Sequence, residues 1–176
     1  MTLRWLGMAA AAVLLNGCTM TGRPVPSSEL LVISGVPAFE AQERDDDCAG
    51  VALASLLGHA GLTVSPATID EVVYDQRLGG ALLPDLEKFA AGAGARPRSG
   101  RGSLDELRRL LRGGRPVLAP IDLGWNLWRR PHYVVLYGVG DDEFLLHLRH
   151  DETRTMAGRE FERRWSVMGR LYLYLE

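Results

Sequence analysis

The sequence is poor in lysine and cysteine, and no apolar run in it is long enough to cross a membrane. Lys88 is the single lysine among 176 residues, so arginine supplies nearly all of the positive charge. The formal net charge is −2 at pH 7, which excludes the basic excess typical of nucleic-acid binding. The longest apolar run, at residues 6–15, is about half of the ~20 residues that a transmembrane helix needs. We therefore expect no nucleic-acid partner and no spanning helix.

That short apolar run has the features of an export signal. Arg4 provides a positive start, and the run closes with Leu15-Asn16-Gly17-Cys18. This ending resembles a bacterial lipobox, which is cut before the cysteine. We predict a lipoprotein signal peptide at 1–17 and acyl chains on Cys18, with an ordinary secretory signal and an incidental cysteine as the alternative.

The next residues predict where such a protein resides. Residues 18–29 are rich in Thr, Pro, Gly and Ser, a composition typical of a flexible tether. Thr19, rather than aspartate, follows Cys18, and by resemblance to Gram-negative lipoproteins this favours the outer membrane. We expect a lipid-anchored envelope protein that faces the periplasm.

The remaining residues, 30–176, suit one domain of the α+β class. The apolar fraction is 47%, enough for a sizeable core. Helical patterns come first, near residues 48–59, 65–73, 84–91 and 103–112, and strand patterns follow. This order predicts N-terminal helices packed on a C-terminal antiparallel sheet. The predicted strands lie near residues 30–33, 116–121, 132–137, 143–148 and 171–175, with a short helix around 161–165.

One stretch, residues 42–59, dominates the chain because it places Cys48 at the start of an apolar helix. Such a helix is buried, and the positive end of its dipole favours a thiolate. Asp45, Asp46 and Asp47 suit the helix start but oppose thiolate formation. With Cys18 acylated, Cys48 has no disulfide partner in an oxidising compartment, which marks a reactive thiol. The alternative is a cysteine that only packs in the core.

A thiol nucleophile needs a base, and His132 is the best choice because it begins an apolar strand. His147 and His150, on the returning strand, are rivals. The loop before His132 carries Trp125 and Trp128, which suit either peptide contacts in a cleft or a core for the loop. Adjacent strand residues point to opposite faces, so no metal site is expected near residue 150, and we expect no cofactor.

Two segments together resemble the papain-like C39 peptidase family. The first, 42–54, has glutamine six positions before cysteine, acidic residues directly before it and small residues after it. The second, 132–142, has a histidine and an aromatic residue opening an apolar strand, then a glycine and acidic turn. The resemblance covers roughly residues 36–150, and it implies a papain-like fold for residues 30–176.

The resemblance also implies roles. Cys48 would be the nucleophile, His132 the general base, and Gln42 an oxyanion donor beside the backbone N–H of Cys48. The family orients its histidine with an aspartate on the returning strand, and Asp151 is the acid nearest that position. The implied reaction is peptide hydrolysis through a thioester, with a peptide or protein substrate.

Two other functions remain open from the sequence. One is a catalytically inactive lipoprotein that keeps the fold and binds peptides. The other is a different papain-like activity in the envelope, such as cell-wall amide hydrolysis or transamidation.

Overall fold

The computed structural model describes residues 30–40, 48–125, 128–150 and 152–176. The described residues form five α-helices and seven β-strands. In chain order they are β1 (Leu31–Val32), α1 (Cys48–His59), α2 (Pro66–Val73), α3 (Leu83–Gly92), β2 (Pro97–Arg101), α4 (Leu104–Arg112), β3 (Val117–Asp122), β4 (Pro131–Val139), β5 (Glu143–Arg149), β6 (Glu152–Ala157), α5 (Gly158–Ser166) and β7 (Leu171–Leu175).

All strand pairs within the described residues are antiparallel and belong to one sheet. The order is β2-β7-β3-β4-β5-β6. The short β1 pairs with the far end of β4, where Leu31 lies opposite Val139, beyond the point at which β3 stops pairing. Strand β4 is therefore central, and its first residues meet the end of β3 on one side and the end of β5 on the other.

Helices cover both faces of the sheet and create two apolar cores. The first three helices pack on one face against residues that include Leu118, Tyr133 and Val135. The last two helices, α4 and α5, pack on the opposite face through residues such as Leu107, Phe161 and Trp165. The predicted α+β class is confirmed, with a second helical layer added.

The helix starts follow the sequence signals. The Ser65 hydroxyl accepts a hydrogen bond from the Thr68 N–H at 3.2 Å, and Pro66 occupies the first helical position. Ser103 caps α4 in the same way through the Glu106 N–H, at 3.3 Å. These side-chain caps satisfy N–H groups that the first helical turn leaves without partners.

Two strands have no counterpart in the sequence prediction. Strand β2 contains proline, glycine and two arginines, and it pairs with β7 from Pro97↔Leu175 to Arg101↔Leu171. Strand β6 is also polar and mostly exposed, pairing with β5. Both lie at the ends of the sheet, where strands need no apolar pattern because one edge and much of each face stay in water.

No helix among the described residues has the length and apolar character required to cross a bilayer.

Candidate active site at the tip of helix α1

Cys48 is the first residue of α1, whose side chains are buried along nearly the whole helix. The cysteine is 7% exposed and belongs to the core between the helices and the sheet. Burial of this degree fits a packing cysteine as well as a nucleophile. The sulfur also contacts a polar group, because Sγ accepts a hydrogen bond from the backbone N–H of Tyr133 at 3.5 Å.

This contact joins the helix tip to the beginning of β4. Tyr133 directly follows His132, so the sulfur of Cys48 lies one peptide unit from the predicted base. The register of the sheet fixes the strand here, because Ile121 lies opposite His132 and Pro120 lies opposite Tyr133. The structure thus brings two segments separated by 85 residues to one place.

His132 is 5% exposed, and its ring is held by the main chain of the neighbouring strand. Its Nε2 atom forms a hydrogen bond with the backbone carbonyl of Leu148. Because a carbonyl oxygen only accepts, the proton of the neutral imidazole must lie on Nε2. The other nitrogen, Nδ1, then carries a lone pair that can accept a proton.

The environment favours this neutral form. Burial lowers the pKa of His132, the Leu148 carbonyl opposes that effect, and the positive charges of Arg149 and Arg130 lower the pKa further. A base of low pKa is unprotonated at neutral pH. His132 is therefore ready to take up a proton rather than held as an imidazolium ion.

Tyr133 fixes the start of β4 against the helical layer. Its hydroxyl donates to the carbonyl of Ala81, at 3.1 Å, and its ring lies in the same core as Cys48. Burial raises the pKa of Tyr133, and Cys48 adds to the rise. The phenol therefore stays protonated, and its hydrogen bond to Ala81 holds the start of β4 in place beside the sulfur.

The rival histidines have other partners. His150 Nδ1 forms a hydrogen bond with the Phe39 carbonyl at 2.9 Å, and His147 stacks on Tyr137 with ring centroids 4.2 Å apart. Nδ1 of His147 also lies 3.4 Å from the Thr153 hydroxyl. The His150 contact, together with the ring contact between His147 and Phe39, holds Phe39 in the segment that precedes the Cys48 helix.

A glycine two residues after the cysteine permits a close helix contact. A Cβ atom on Gly50 would lie 2.4 Å from Oδ2 of Asp70 on α2, closer than real contacts allow. The carboxylate of Asp70 therefore lies directly against the first turn of α1. This explains why Gly50 stands in an otherwise alanine-rich and leucine-rich helix.

The hairpin between β3 and β4 leads into His132 and is held by one carboxylate. Oδ1 of Asp122 accepts from the backbone N–H groups of Gly124 and Arg130, each at 2.8 Å, and Oδ2 lies 3.3 Å from Arg129. Although burial acts against ionisation, the hydrogen bonds and the positive charge of Arg129 prevail and lower the pKa of Asp122. We call these contacts the Asp122 latch.

The two tryptophans at the tip of this hairpin are paired with each other across the turn and point into solvent. Trp125 is 87% exposed and Trp128 is 84% exposed. The interpretation that they form a core for the loop is therefore wrong, since neither ring is covered by the loop residues described.

Three of the predicted site residues fall outside the described residues. Gln42, Asp151 and the lipidation residue Cys18 belong to this group, and their roles stay predictions. Within the described part of the chain, no cluster of three or more His, Cys, Asp or Glu residues is suited to a metal ion.

Sequence reasoning did not find the groups that position the side chains of Cys48 and His132. The partner of His132 is the carbonyl of Leu148, and the donor to Cys48 is the N–H of Tyr133. Backbone groups carry no residue-type signal, so only the strand register reveals them. The Asp122 latch had a detectable signal, because an aspartate two residues before glycine at a strand end favours a turn.

Comparison with protein families identifies one match that spans most of the chain. The model described as the Peptidase C39 family matches residues 38–172. A search of curated proteins gives no match.

Solved structures with the same fold include three C39-type domains. A C39-like peptidase from Bacillus anthracis has a TM-score of 0.69 and 18% identity, over 84% of this chain and 98% of that one. The double-glycine-motif protease of an AMS/PCAT transporter, solved with its leader peptide, has a TM-score of 0.65 and 17% identity over 82% and 94% of the two chains. The peptidase domain of Streptococcus ComA, a bi-functional ABC transporter in a quorum-sensing pathway, has a TM-score of 0.62 and 21% identity over 78% and 96%. At these identities the likeness shows the papain-like C39 fold.

Proposed function

The chain belongs to the peptidase C39 family, and from that premise we propose that it cleaves peptide bonds through Cys48 and His132 while tethered to the bacterial envelope. The observation that carries the catalytic proposal is the contact between the Cys48 sulfur and the N–H of Tyr133, which follows His132 in the chain. It brings the helix tip and the strand start together, as a thiol nucleophile and its base require.

The reaction begins with transfer of the Cys48 proton to Nδ1 of His132 and attack of the sulfur on a peptide carbonyl. The lone pair on Nδ1 is available because Nε2 is engaged by the Leu148 carbonyl. The protonated imidazole then gives its proton to the leaving amine, and a thioester remains on Cys48. Water attacks the thioester with His132 again as the base, which releases the acid and restores the thiol.

Negative charge develops on the carbonyl oxygen in both steps. A helix N-terminus presents N–H groups without helical partners, and Cys48 is the first residue of α1. Its backbone N–H, with the side-chain amide of Gln42, is the proposed donor pair. Asp151 is the proposed carboxylate that supplements the Leu148 carbonyl beside His132.

The proposed substrate is a peptide or protein segment in an extended form. One structural relative was solved with a leader peptide, which supports a peptide for this chain as well.

The proposed location is the periplasmic face of the outer membrane. Its support is the sequence Leu15-Asn16-Gly17-Cys18 after a short apolar run, followed by Thr19. Mass spectrometry of the protein purified from a Gram-negative host tests this directly. We expect an N-terminal peptide that begins at Cys18 and carries acyl chains, and a Cys18→Ser variant that stays uncleaved. An unmodified Cys18 in the wild-type protein would contradict the anchor.

Peptidase activity is tested on a mixture of unfolded peptides whose products are read by mass spectrometry. The wild type should produce new termini, and Cys48→Ala should produce none. His132→Gln should slow cleavage by about 100-fold to 10,000-fold, the usual contribution of a general base. His59→Gln is the matched control, because His59 lies at the opposite end of α1 with Nδ1 3.3 Å from the Gly35 carbonyl.

A second candidate, a binding protein without catalysis, is favoured by one observation. The described partner of His132 is a neutral carbonyl, which stabilises an imidazolium ion less than a carboxylate does. For this candidate, the wild type and Cys48→Ala would bind peptides equally and neither would cut them. Cleavage that depends on Cys48 excludes it.

A further inference from the structure

The hairpin tip at residues 125–128 presents two tryptophans that the protein itself does not cover. Large apolar side chains this exposed are uncommon on a soluble surface, and a contiguous pair marks an interaction site. Asn126 and Leu127, between them, are outside the described residues.

The hairpin is built to hold this tip in place. The Asp122 latch closes its base through two backbone N–H groups, and the carbonyl of Arg130 accepts from the Leu123 N–H at 2.9 Å. The carbonyl of Asp122 also accepts from Arg164 of α5, at 3.0 Å. A Cβ atom on Gly124 would lie 1.8 Å from the Trp128 carbonyl, so the turn tolerates only glycine there. A braced base of this kind holds the backbone beneath the two rings in place, and both rings remain in solvent.

Two arginines lie beside the tip. Arg129 is 61% exposed with its guanidinium 3.3 Å from the Asp122 carboxylate, and Arg130 is also exposed. Tryptophan beside arginine is the combination that settles at the boundary between lipid headgroups and acyl chains, where the ring is partly buried and the cation meets phosphate.

The shape of the tip favours a bilayer over a peptide. Sites that hold peptide side chains are concave and cover much of the ring that they bind. Rings that are 87% and 84% exposed have almost no walls around them. A projecting pair of rings is instead suited to insertion into a deformable, continuous surface such as a membrane interface.

The predicted tether is long enough for this contact. The register Leu31↔Val139 places the start of the domain at the far end of β4. Trp128 precedes Val139 by 11 residues, so the tip is at most about 36 Å away at ~3.3 Å per residue. The segment from Cys18 to Leu31 spans up to ~44 Å when extended. The hairpin can therefore reach the same membrane that holds the anchor.

We propose that Trp125 and Trp128 insert into the interface of an anionic phospholipid membrane, with Arg129 and Arg130 on the phosphate groups. This proposal rests on the lipid anchor proposed above and adds a second contact to it. The contact places the start of β4, and with it His132, next to the membrane surface, where the protein would meet membrane-associated peptides.

Intrinsic fluorescence offers a direct test, because the chain after the predicted signal has three tryptophans and the third, Trp165, is fully buried. The full chain, carrying Trp5→Phe, is reconstituted into vesicles of phosphatidylethanolamine and brominated phosphatidylglycerol. We expect bromine to quench the wild-type emission. In Trp125→Ala/Trp128→Ala the remaining emission, from Trp165, should resist quenching.

Substitution of the two arginines provides a second test of the same proposal. Arg129→Gln/Arg130→Gln should weaken the added vesicle contact by about five-fold per arginine, and high salt should weaken it in the wild type. A fully zwitterionic vesicle should quench less than the anionic one. Circular dichroism of every variant is the folding control, because Arg129→Gln also removes one contact of the Asp122 latch.

Emission from vesicle-bound protein that bromine does not quench would overturn the proposal. A peptide mixture that protects Trp125 and Trp128 from acrylamide, where vesicles do not, would also overturn it and identify a peptide contact. The mass of Cys18 is measured on the same samples. An unmodified Cys18 with strong quenching refutes the anchor and supports the hairpin, whereas an acylated Cys18 without quenching refutes the hairpin alone.

Discussion

The imidazole of His132 donates a hydrogen bond from Nε2 to the main-chain carbonyl of Leu148. The strand register sets this contact, because β5 runs back along β4 and ends beside its first residues. The orientation of the His132 ring therefore depends on the pairing of strands in the sheet more than on any one side chain.

The rate of peptide cleavage should stay constant near neutral pH and fall only in acidic solution. Burial lowers the pKa of His132 below its ordinary value of 6.5, and the base acts in its neutral form. The acidic limb of the rate profile should therefore have its midpoint below pH 6.5. The measurement is the rate of cleavage at saturating and at low substrate across pH 4–8. A midpoint above pH 7 would show that the base is stabilised as an imidazolium ion.

Stability should fall in acid because of His147. Burial lowers the pKa of this histidine, so the folded state binds fewer protons than the unfolded one. The resulting stability is present above pH ~6.5 and is lost as the pH falls through that value toward the lower folded pKa. Thermal unfolding should show this loss in the wild type and a smaller one in His147→Phe, which keeps a ring against Tyr137. Identical pH dependence in the two proteins would contradict the prediction.

Breaking the Asp122 latch should disturb both the hairpin and the site. Asp122→Ala removes the acceptor of two backbone N–H groups and the partner of Arg129, at a cost of roughly 2–4 kcal/mol in the free energy of unfolding. Asp122→Asn keeps one acceptor oxygen and should cost about half as much. Both should slow cleavage by Cys48, because the hairpin leads directly into His132.

The control for the latch is Arg77→Ala, which removes the ion pair of a 91% exposed arginine with Asp75 in the loop after α2. Exposed pairs contribute about 0–1 kcal/mol, so this variant should unfold and cleave like the wild type. Chemical denaturation measures the stability of all three variants. If Asp122→Ala matched Arg77→Ala in both readouts, the latch would have no structural role.

Gly50→Ala should destabilise the contact between α1 and α2, although alanine favours helices. The added Cβ would overlap the Asp70 carboxylate at 2.4 Å, and overpacking of this kind costs roughly 1–3 kcal/mol. Adding Asp70→Ala to Gly50→Ala should recover part of the loss, because the clashing group is then removed. Additive effects in this double-mutant cycle would show that the two residues do not interact.

Those helix starts and strands that leave a pattern in the side chains could be predicted from the sequence. The capping serines Ser65 and Ser103 indicated two helix starts, and the β-branched and aromatic content of residues 132–137 indicated the central strand. Cys48 stood out because a reactive residue type began a buried helix. These features depend on neighbours along the chain, which a sequence shows directly.

The remainder depends on groups that a sequence does not display. Strand β2 lies at the edge of the sheet and has no apolar alternation, so its pairing with β7 could be recognised only in three dimensions. The Leu148 carbonyl is available to His132 because of strand register, and any residue at position 148 would supply it. The exposure of Trp125 and Trp128 reflects how tightly the latch closes the hairpin beneath them.

The central claim is that His132 activates the sulfur of Cys48, and alkylation of Cys48 by iodoacetamide tests it most directly. The rate is measured by mass spectrometry across pH 5–9 for the wild type, His132→Gln and the control His59→Gln. We predict that Cys48 of the wild type and of the control reacts faster than a free thiol at pH 7, and that His132→Gln loses this advantage. Equal rates in the wild type and His132→Gln, with a pH dependence like that of an ordinary thiol, would contradict the account.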